Sequence, residues 1–228
     1  MRTIGVLGGI TWHSAAEYYR LLNSLVNERA GGIHAARCVL FSVDVGSVDP
    51  LLHAERWEDA GRLLAPDARA VEAAGADVFG LACNTLHAAW ETIVADVTIP
   101  TIHIGDALAD ALAGDGRSRV ALLGTTHTML LPFMRERIEA RGIDLVVPPE
   151  DTHARIDHTI FEEFSRGVFA DETRAFYLDL IGALAVDSVA FACTEIGLLL
   201  KPGDVGVPVY DTARTHAQAL VDYALNSV

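Results

Sequence analysis

Lysine is almost absent from this chain of 228 residues: of 17 basic side chains 16 are arginine, and Lys201 is the single lysine. Chemistry through a lysine Schiff base, as with pyridoxal phosphate, therefore has one candidate in the whole sequence. Cysteine is scarce as well. Cys38, Cys83 and Cys193 are too few and too far apart for a disulfide framework or a CxxC metal knuckle, which makes a reduced compartment the expectation. No apolar run approaches the roughly 18 residues of a membrane-spanning helix. Basic residues are outnumbered, 17 against 31 acidic ones, and a formal charge of −14 is unsuited to coating phosphate backbones or anionic lipid. Neither nucleic acid nor a membrane is an expected partner. The nine histidines show no HExxH or other compact ligand spacing, so no metal site is expected. Around Gly8-Gly9 the GxGxxG dinucleotide fingerprint is missing; the pair reads instead as a tight turn or a close approach to a ligand.

What remains is a globular composition, 51% hydrophobic and 21% charged, with a mean hydropathy of +0.29. The opening MRTIGVLGGI is cut short by Gly8-Gly9 and by Thr11, His13 and Ser14, so it does not read as a secretory leader, and a cytoplasmic location is expected. Short apolar runs recur at 3–7, 38–43, 77–81, 98–104, 119–123, 145–147, 187–192 and 207–210, most without polar alternation, as in strands covered on both faces. Helical spacing fills the intervals; near the end Ala213, Ala217, Leu220, Val221 and Ala224 share one face. This alternation predicts an α/β fold of parallel sheets with helices on both sides. Such sheets carry their ligand sites in the loops after the carboxyl ends of strands.

Those loops repeat. Gly5-Val-Leu-Gly8 is echoed by Ala121-Leu-Leu-Gly124, and Asp77 stands six positions before Cys83 as Asp187 does before Cys193. Pro100 and Pro208 follow the two cysteines at similar intervals. Four markers in one order in both halves predict two similar lobes related by a pseudo-twofold axis. The first lobe is expected over 1–104 plus 211–228 and the second over 105–210.

Cys83 and Cys193 each fall just past a strand and just before a helix, where the helix partial charge and free N–H groups favour thiolate and are expected to lower the thiol pKa. Two such thiols on opposite sides of one carbon could remove an α-proton from one face and deliver a proton to the other. The plainer reading treats them as packed cysteines, with Asn84, Thr85, Thr194 and Glu195 as helix caps. Cys38, inside an apolar run, is read as structural.

Together these residues resemble the aspartate/glutamate racemases, a family of cofactor-independent amino-acid racemases. The resemblance rests on Ile4-Gly5-Val6-Leu7-Gly8-Gly9, Glu17-Tyr18-Tyr19, Cys83-Asn84-Thr85-Leu86-His87, Leu122-Leu123-Gly124-Thr125, Cys193-Thr194-Glu195-Ile196, Asp211-Thr212-Ala213 and His216-Ala217, essentially the whole chain. It implies two Rossmann-like lobes with the active site in the cleft between them, an amino-acid substrate, no cofactor, a homodimer, and Cys83 and Cys193 as the acid/base thiols. It also implies that Asn84, Thr85 and Thr194 hold the substrate α-carboxylate, joined by Thr125 and Thr126. Some members replace the first cysteine with threonine; both are cysteine here, so inversion is available.

The chain departs from the family pattern at Thr11-Trp12-His13-Ser14, where many relatives have Ser-Trp-Glu-Ser, and at Leu130-Leu131, after a Thr-Met that many continue with Glu. Aspartate racemases resemble one another in using Arg and Lys for the side-chain carboxylate. The matching stretches here hold Val48, Asp49 and Ser165, with Arg166 the nearby cation. An acidic substrate would then rest on Arg or backbone groups; otherwise the substrate is not acidic.

Trp12 is expected to wall the cleft rather than join the core. Glu195 is expected to orient Cys193 or Thr194, or only to favour the helix N-terminus. His87 reads as a helix-surface or dimer-contact residue, with tuning of Cys83 as the other possibility, and His103 and His127 lie near strand ends. Related reactions stay open, namely those of hydantoin racemases, maleate isomerases and arylmalonate decarboxylases, as does a non-catalytic two-lobed protein that binds a small anion.

Overall fold

In the computed structural model the described residues are 1–8 and 11–226, and Gly9 of the Gly8-Gly9 pair lies outside them. The chain forms two compact units, Met1–Ile104 with Ala213–Val228, and Gly105–Thr212. The first contains β1 (Ile4–Leu7), α1 (Trp12–Ala30), β2 (Cys38–Phe41), α2 (Val45–His53), α3 (Trp57–Ala73), β3 (Val78–Leu81) and α4 (Trp90–Ile93). The second follows with α5 (Ile104–Gly114), β4 (Arg119–Leu123), α6 (Thr126–Leu130), α7 (Pro132–Glu139), β5 (Asp144–Val146), α8 (Glu150–His158), α9 (Asp171–Ala183), β6 (Ser188–Phe191), α10 (Ile196–Leu199) and β7 (Val209–Asp211). Helix α11 (Thr212–Leu225) leads back into the first unit. No helix among the described residues is long and apolar enough to cross a membrane.

Both sheets are parallel, in the orders β2-β1-β3 and β5-β4-β6-β7. The expected α/β class is what the chain adopts, and the side-chain pattern explains why. Successive strand residues point to opposite faces. Ile4, Val6 and Val78 meet Leu21, Leu22 and Leu25 of α1 and Leu220 and Val221 of α11. Leu7, Phe79 and Leu81 meet Leu64, Ala68 and Val71 of α3 on the other face. In the second unit Ala121, Leu123, Val189 and Phe191 pack with Ile156, Tyr177 and Ile181. With both faces covered, no polar alternation remains to be read.

The repeated markers have matching local roles. Asp77 Oδ2 accepts the Thr3 N–H at 2.6 Å, and Asp187 Oδ2 accepts the Ser118 N–H at 2.8 Å and the Arg119 N–H at 3.1 Å. Each carboxylate thus braces the entry to its unit's central strand. A Cβ on Gly8 would sit 2.9 Å from the Phe41 carbonyl oxygen, and one on Gly124 would sit 3.0 Å from that of Ala192. Each glycine lets backbone pass where a side chain would not fit. The prolines also correspond: Phe79 N–H donates to Pro100 O and Val189 N–H to Pro208 O, both at 2.9 Å.

One expected strand does not form. Over 98–104 the backbone makes a single bridge, Phe79 with Thr101. Pro100 has no N–H to extend a ladder and Ile104 already opens α5, so little chain is left between them to pair as a strand.

Burial opposes ionisation of Asp187, but hydrogen bonds from Ser118, Ser188 and Arg119 hold its carboxyl below the ordinary range. Stability from a depressed carboxyl is present above its unfolded pKa, about 3.9, and is lost as pH falls through the folded value. Asp187→Ala, discounted for solvent screening at this part-exposed carboxylate, should therefore cost about 0.5–1 kcal/mol near neutrality, with the deficit shrinking at pH 3. Urea melts of both proteins at the two pH values check this, and a deficit independent of pH would contradict it.

Candidate active site

In the first unit β1 and β3 pair from Ile4 with Val78 to Leu7 with Leu81, so the loops leaving their carboxyl ends are neighbours. Thr11 caps α1 by accepting the Ser14 N–H at 3.4 Å. Trp12, the first helical residue, is 67% exposed with its ring 3.8 Å from that of His13, so it is not part of the core. After β3 come Cys83, Asn84 and Thr85. Cys83 is half-buried and packs against the apolar cluster on the α3 side of the sheet. Asn84 has helical backbone angles and makes no side-chain cap on the 3₁₀ turn Thr85–Ala89. Its Oδ1 is buried without a hydrogen-bond partner. An orphaned buried acceptor costs about 1–3 kcal/mol until something donates to it, which favours binding over capping as its purpose.

His87 is 1% exposed, which overturns the expectation of a surface or dimer-contact histidine. Trp90, His103 and His216 surround it. Cys38 lies on β2, where burial raises its thiol pKa, in keeping with a packing role.

In the second unit β4 and β6 pair up to Leu123 with Phe191, which sets Thr125 and Thr126 on the loop beside that of Cys193, Thr194 and Glu195. Thr125 caps α6, its Oγ1 accepting the Thr128 N–H at 3.3 Å. Thr126 N–H donates to Asp157 Oδ1 at 2.9 Å, a partner that sequence reasoning did not single out. The Cys193 Sγ–H donates to Glu195 Oε2 at 3.0 Å, and the Thr194 hydroxyl donates to the same oxygen at 2.6 Å. One carboxylate oxygen therefore gathers both side chains.

This geometry reverses the expected sense of the Cys193 titration. Burial first, then the negative charge of Glu195 and its hydrogen bond, push the thiol well above its ordinary pKa. The N–H groups of Glu195 and Ile196 act in the opposite direction and do not prevail. Helix α10 has four residues and supplies little dipole. At neutral pH Cys193 is a thiol.

Several other candidates find structural partners. Lys201 Nζ donates to the Gly197 carbonyl at 3.1 Å, and exposed Arg166 pairs with Glu162. Buried Tyr177, absent from the sequence reading, exchanges a hydrogen bond of 2.8 Å with Thr159 on a π-helical turn. Burial raises its phenol pKa, and Cys193 is among the groups acting on it. A tyrosine on an apolar helix face gives no signal in sequence that separates this from ordinary packing.

The family model for Asp/Glu/Hydantoin racemase matches residues 7–220. The chain belongs to this family. A candidate Asp/Glu racemase from Yersinia pestis is 36% identical with a TM-score of 0.92, the match covering 99% of this chain and 100% of that one. An aspartate racemase homologue from Pyrococcus horikoshii OT3 is 29% identical with a TM-score of 0.86, covering 98% and 99%. A broad specificity amino-acid racemase of Bacillus subtilis (strain 168) is 21% identical over 153 residues, 66% of each chain. The chain thus spans just under two thirds of that relative's length.

The Cys193–Glu195 contact makes a direct prediction. In this family member Cys193 should alkylate with iodoacetamide only well above the usual thiol range of about 8.5, and Glu195→Gln should lower the midpoint by at least about one pH unit. Peptide mass spectrometry across a pH series reads each cysteine separately. An unchanged midpoint would contradict the assignment.

Proposed function

We propose that this racemase-family protein is an isomerase that inverts the α-carbon of an amino acid, with Cys83 and Cys193 as its two proton carriers and no cofactor. The observation that carries the reading is the Cys193 thiol held in its protonated form by Glu195, in a position that corresponds in its unit to that of Cys83. A stored proton on one sulfur is what a two-base inversion needs at the start of a turnover.

In the reaction Cys83, as thiolate, takes the α-hydrogen as a proton, and the C–H electron pair stays on Cα, delocalised into the carboxylate. The Cys193 Sγ–H then delivers its proton to the opposite face. Cys83 ends as thiol and Cys193 as thiolate, with no net proton gained or lost. For the other enantiomer the roles exchange. The raised Cys193 pKa makes its thiolate a strong base that is quickly reprotonated, so the resting protein is set for abstraction by Cys83.

Asn84, Thr85 and Thr194, with adjacent backbone N–H groups, are assigned to the α-carboxylate, where hydrogen bonds stabilise the charge that develops. The buried Asn84 Oδ1 is suited to a donor such as the α-ammonium group. Thr125 and Thr126 join from the loop after β4. Trp12 is assigned to the wall of the site. The homodimer and the cytoplasmic setting expected from the sequence belong to this same reading.

Racemisation of a panel of L- and D-amino acids should fall by about 10²–10⁴-fold in Cys83→Ala and in Cys193→Ala. Each variant should retain α-proton exchange with deuterated water from one enantiomer, followed by NMR. A single variant that racemises at the wild-type rate would overturn the mechanism.

A further inference from the structure

Four rings lie together under the Cys83 turn, all within the first unit. His87 is stacked on Trp90 with centroids 5.0 Å apart and 11° between planes, while His103 meets its edge at 4.4 Å and His216 at 5.9 Å. Imidazoles brought this close out of water cannot all be charged. The hydrogen bonds show which nitrogens carry protons. The Ile104 N–H donates to His87 Nε2 at 3.2 Å, so that nitrogen is the unprotonated one. His87 Nδ1 therefore carries the hydrogen, and it donates to the Cys83 carbonyl at 2.7 Å. His216 has the opposite tautomer: its Nε2–H donates to the Ile102 carbonyl at 2.8 Å and its Nδ1 accepts from the Tyr18 hydroxyl at 2.8 Å. Burial holds the His216 pKa down at about 4, so this support stays neutral through the physiological range.

The segment 102–104 is gripped from both sides, by His216 at the Ile102 carbonyl and by His87 at the Ile104 amide. His87 is thus fixed at both nitrogens, and its Nδ1–H is aimed at the peptide that carries the sulfur. The turn's own backbone bond runs from the His87 N–H to the Asn84 carbonyl at 3.0 Å, one residue past the carbonyl that the ring takes.

We propose that His87 is a positioning residue for Cys83, its neutral ring clamping the Cys83 carbonyl to the buried histidine cluster and so fixing where the sulfur points. This rests on the reading of Cys83 as an acid/base thiol. The ring touches neither substrate nor sulfur in this role; it acts through the Cys83 backbone. Misplacement of a reacting group by about 1 Å can cost 10²-fold, so the clamp bears on turnover far more than on binding.

Two amide replacements separate the ring's two bonds. Asn places its amide N–H where Nδ1–H was and keeps the donor to Cys83; Gln places its amide oxygen near the Nε2 position and keeps only the acceptor for Ile104. His87→Asn should hold kcat and the Cys83 alkylation rate within about threefold of wild type, while His87→Gln lowers both by about tenfold or more with KM little changed. Thermal melts should show similar stability losses for the two variants, and Cys193 alkylation should be unchanged in both. Equal loss of Cys83 reactivity in the two, or none in either, would overturn the clamp. Alkylation needs no turnover, so it reads the clamp even if no amino acid is racemised, an outcome that would sink the proposed function alone. Nitrogen-15 NMR of the wild-type imidazoles adds a test that requires no variant: His87 should be neutral with its proton on Nδ1 at pH 7, and a charged ring or an Nε2–H tautomer would refute the proposal.

Discussion

A parallel strand cannot turn straight back into its neighbour, and much else in this protein follows from that restriction. Each chain segment must leave the carboxyl edge of its sheet, pass through a helix and return to the opposite edge. Residues at the ends of neighbouring strands are thereby collected on one edge of each sheet, however far apart they lie in sequence. Pairing of β1 with β3 sets Leu7 beside Leu81, just ahead of Cys83, and pairing of β4 with β6 sets Leu123 beside Phe191, just ahead of Thr125 and Cys193. The bracing carboxylates Asp77 and Asp187 and the side-chain-free passages at Gly8 and Gly124 hold these pairings in register.

Equivalent positions need not have equivalent chemistry. The Cys193 thiol donates a hydrogen bond to a carboxylate oxygen two residues away, and burial reinforces that preference for the neutral thiol. Cys83 has a different neighbour, a neutral imidazole that takes its carbonyl. Duplication of a strand-turn motif supplies two thiols, and the residues immediately downstream, Glu195 and His87, make them unlike. The two sulfurs thus differ in their surroundings through residues of the turns that follow them.

The parallel sheets were legible because the apolar runs at 3–7, 77–81, 119–123 and 187–192 largely lack polar alternation, as two-sided burial requires, and the repeat was legible because Gly, Asp and Pro each perform a backbone task tied to position. The run at 98–104 misled because an apolar composition does not report pairing, and Pro100 removes a donor. The sense of the Cys193 titration was out of reach because a helix N-terminus is visible in sequence whereas its four-residue length and the rotamer that turns Glu195 onto the sulfur are not. His87 looked exposed because helical spacing alone cannot show that 102–104 and α11 close over it. The tautomers, which give the cluster its meaning, depend on partners 17 and 114 positions away in sequence.

The claim at the centre of this account is that two different groups handle the proton on the two faces of Cα. Conversion of a single enantiomer in deuterated water, stopped after a few per cent of reaction, tests it directly by the isotope content of each enantiomer. Two carriers predict product bearing solvent deuterium at Cα and recovered substrate still bearing hydrogen. Product that retains the substrate's own hydrogen, or deuterium appearing equally in both enantiomers, would point to a single base and contradict it.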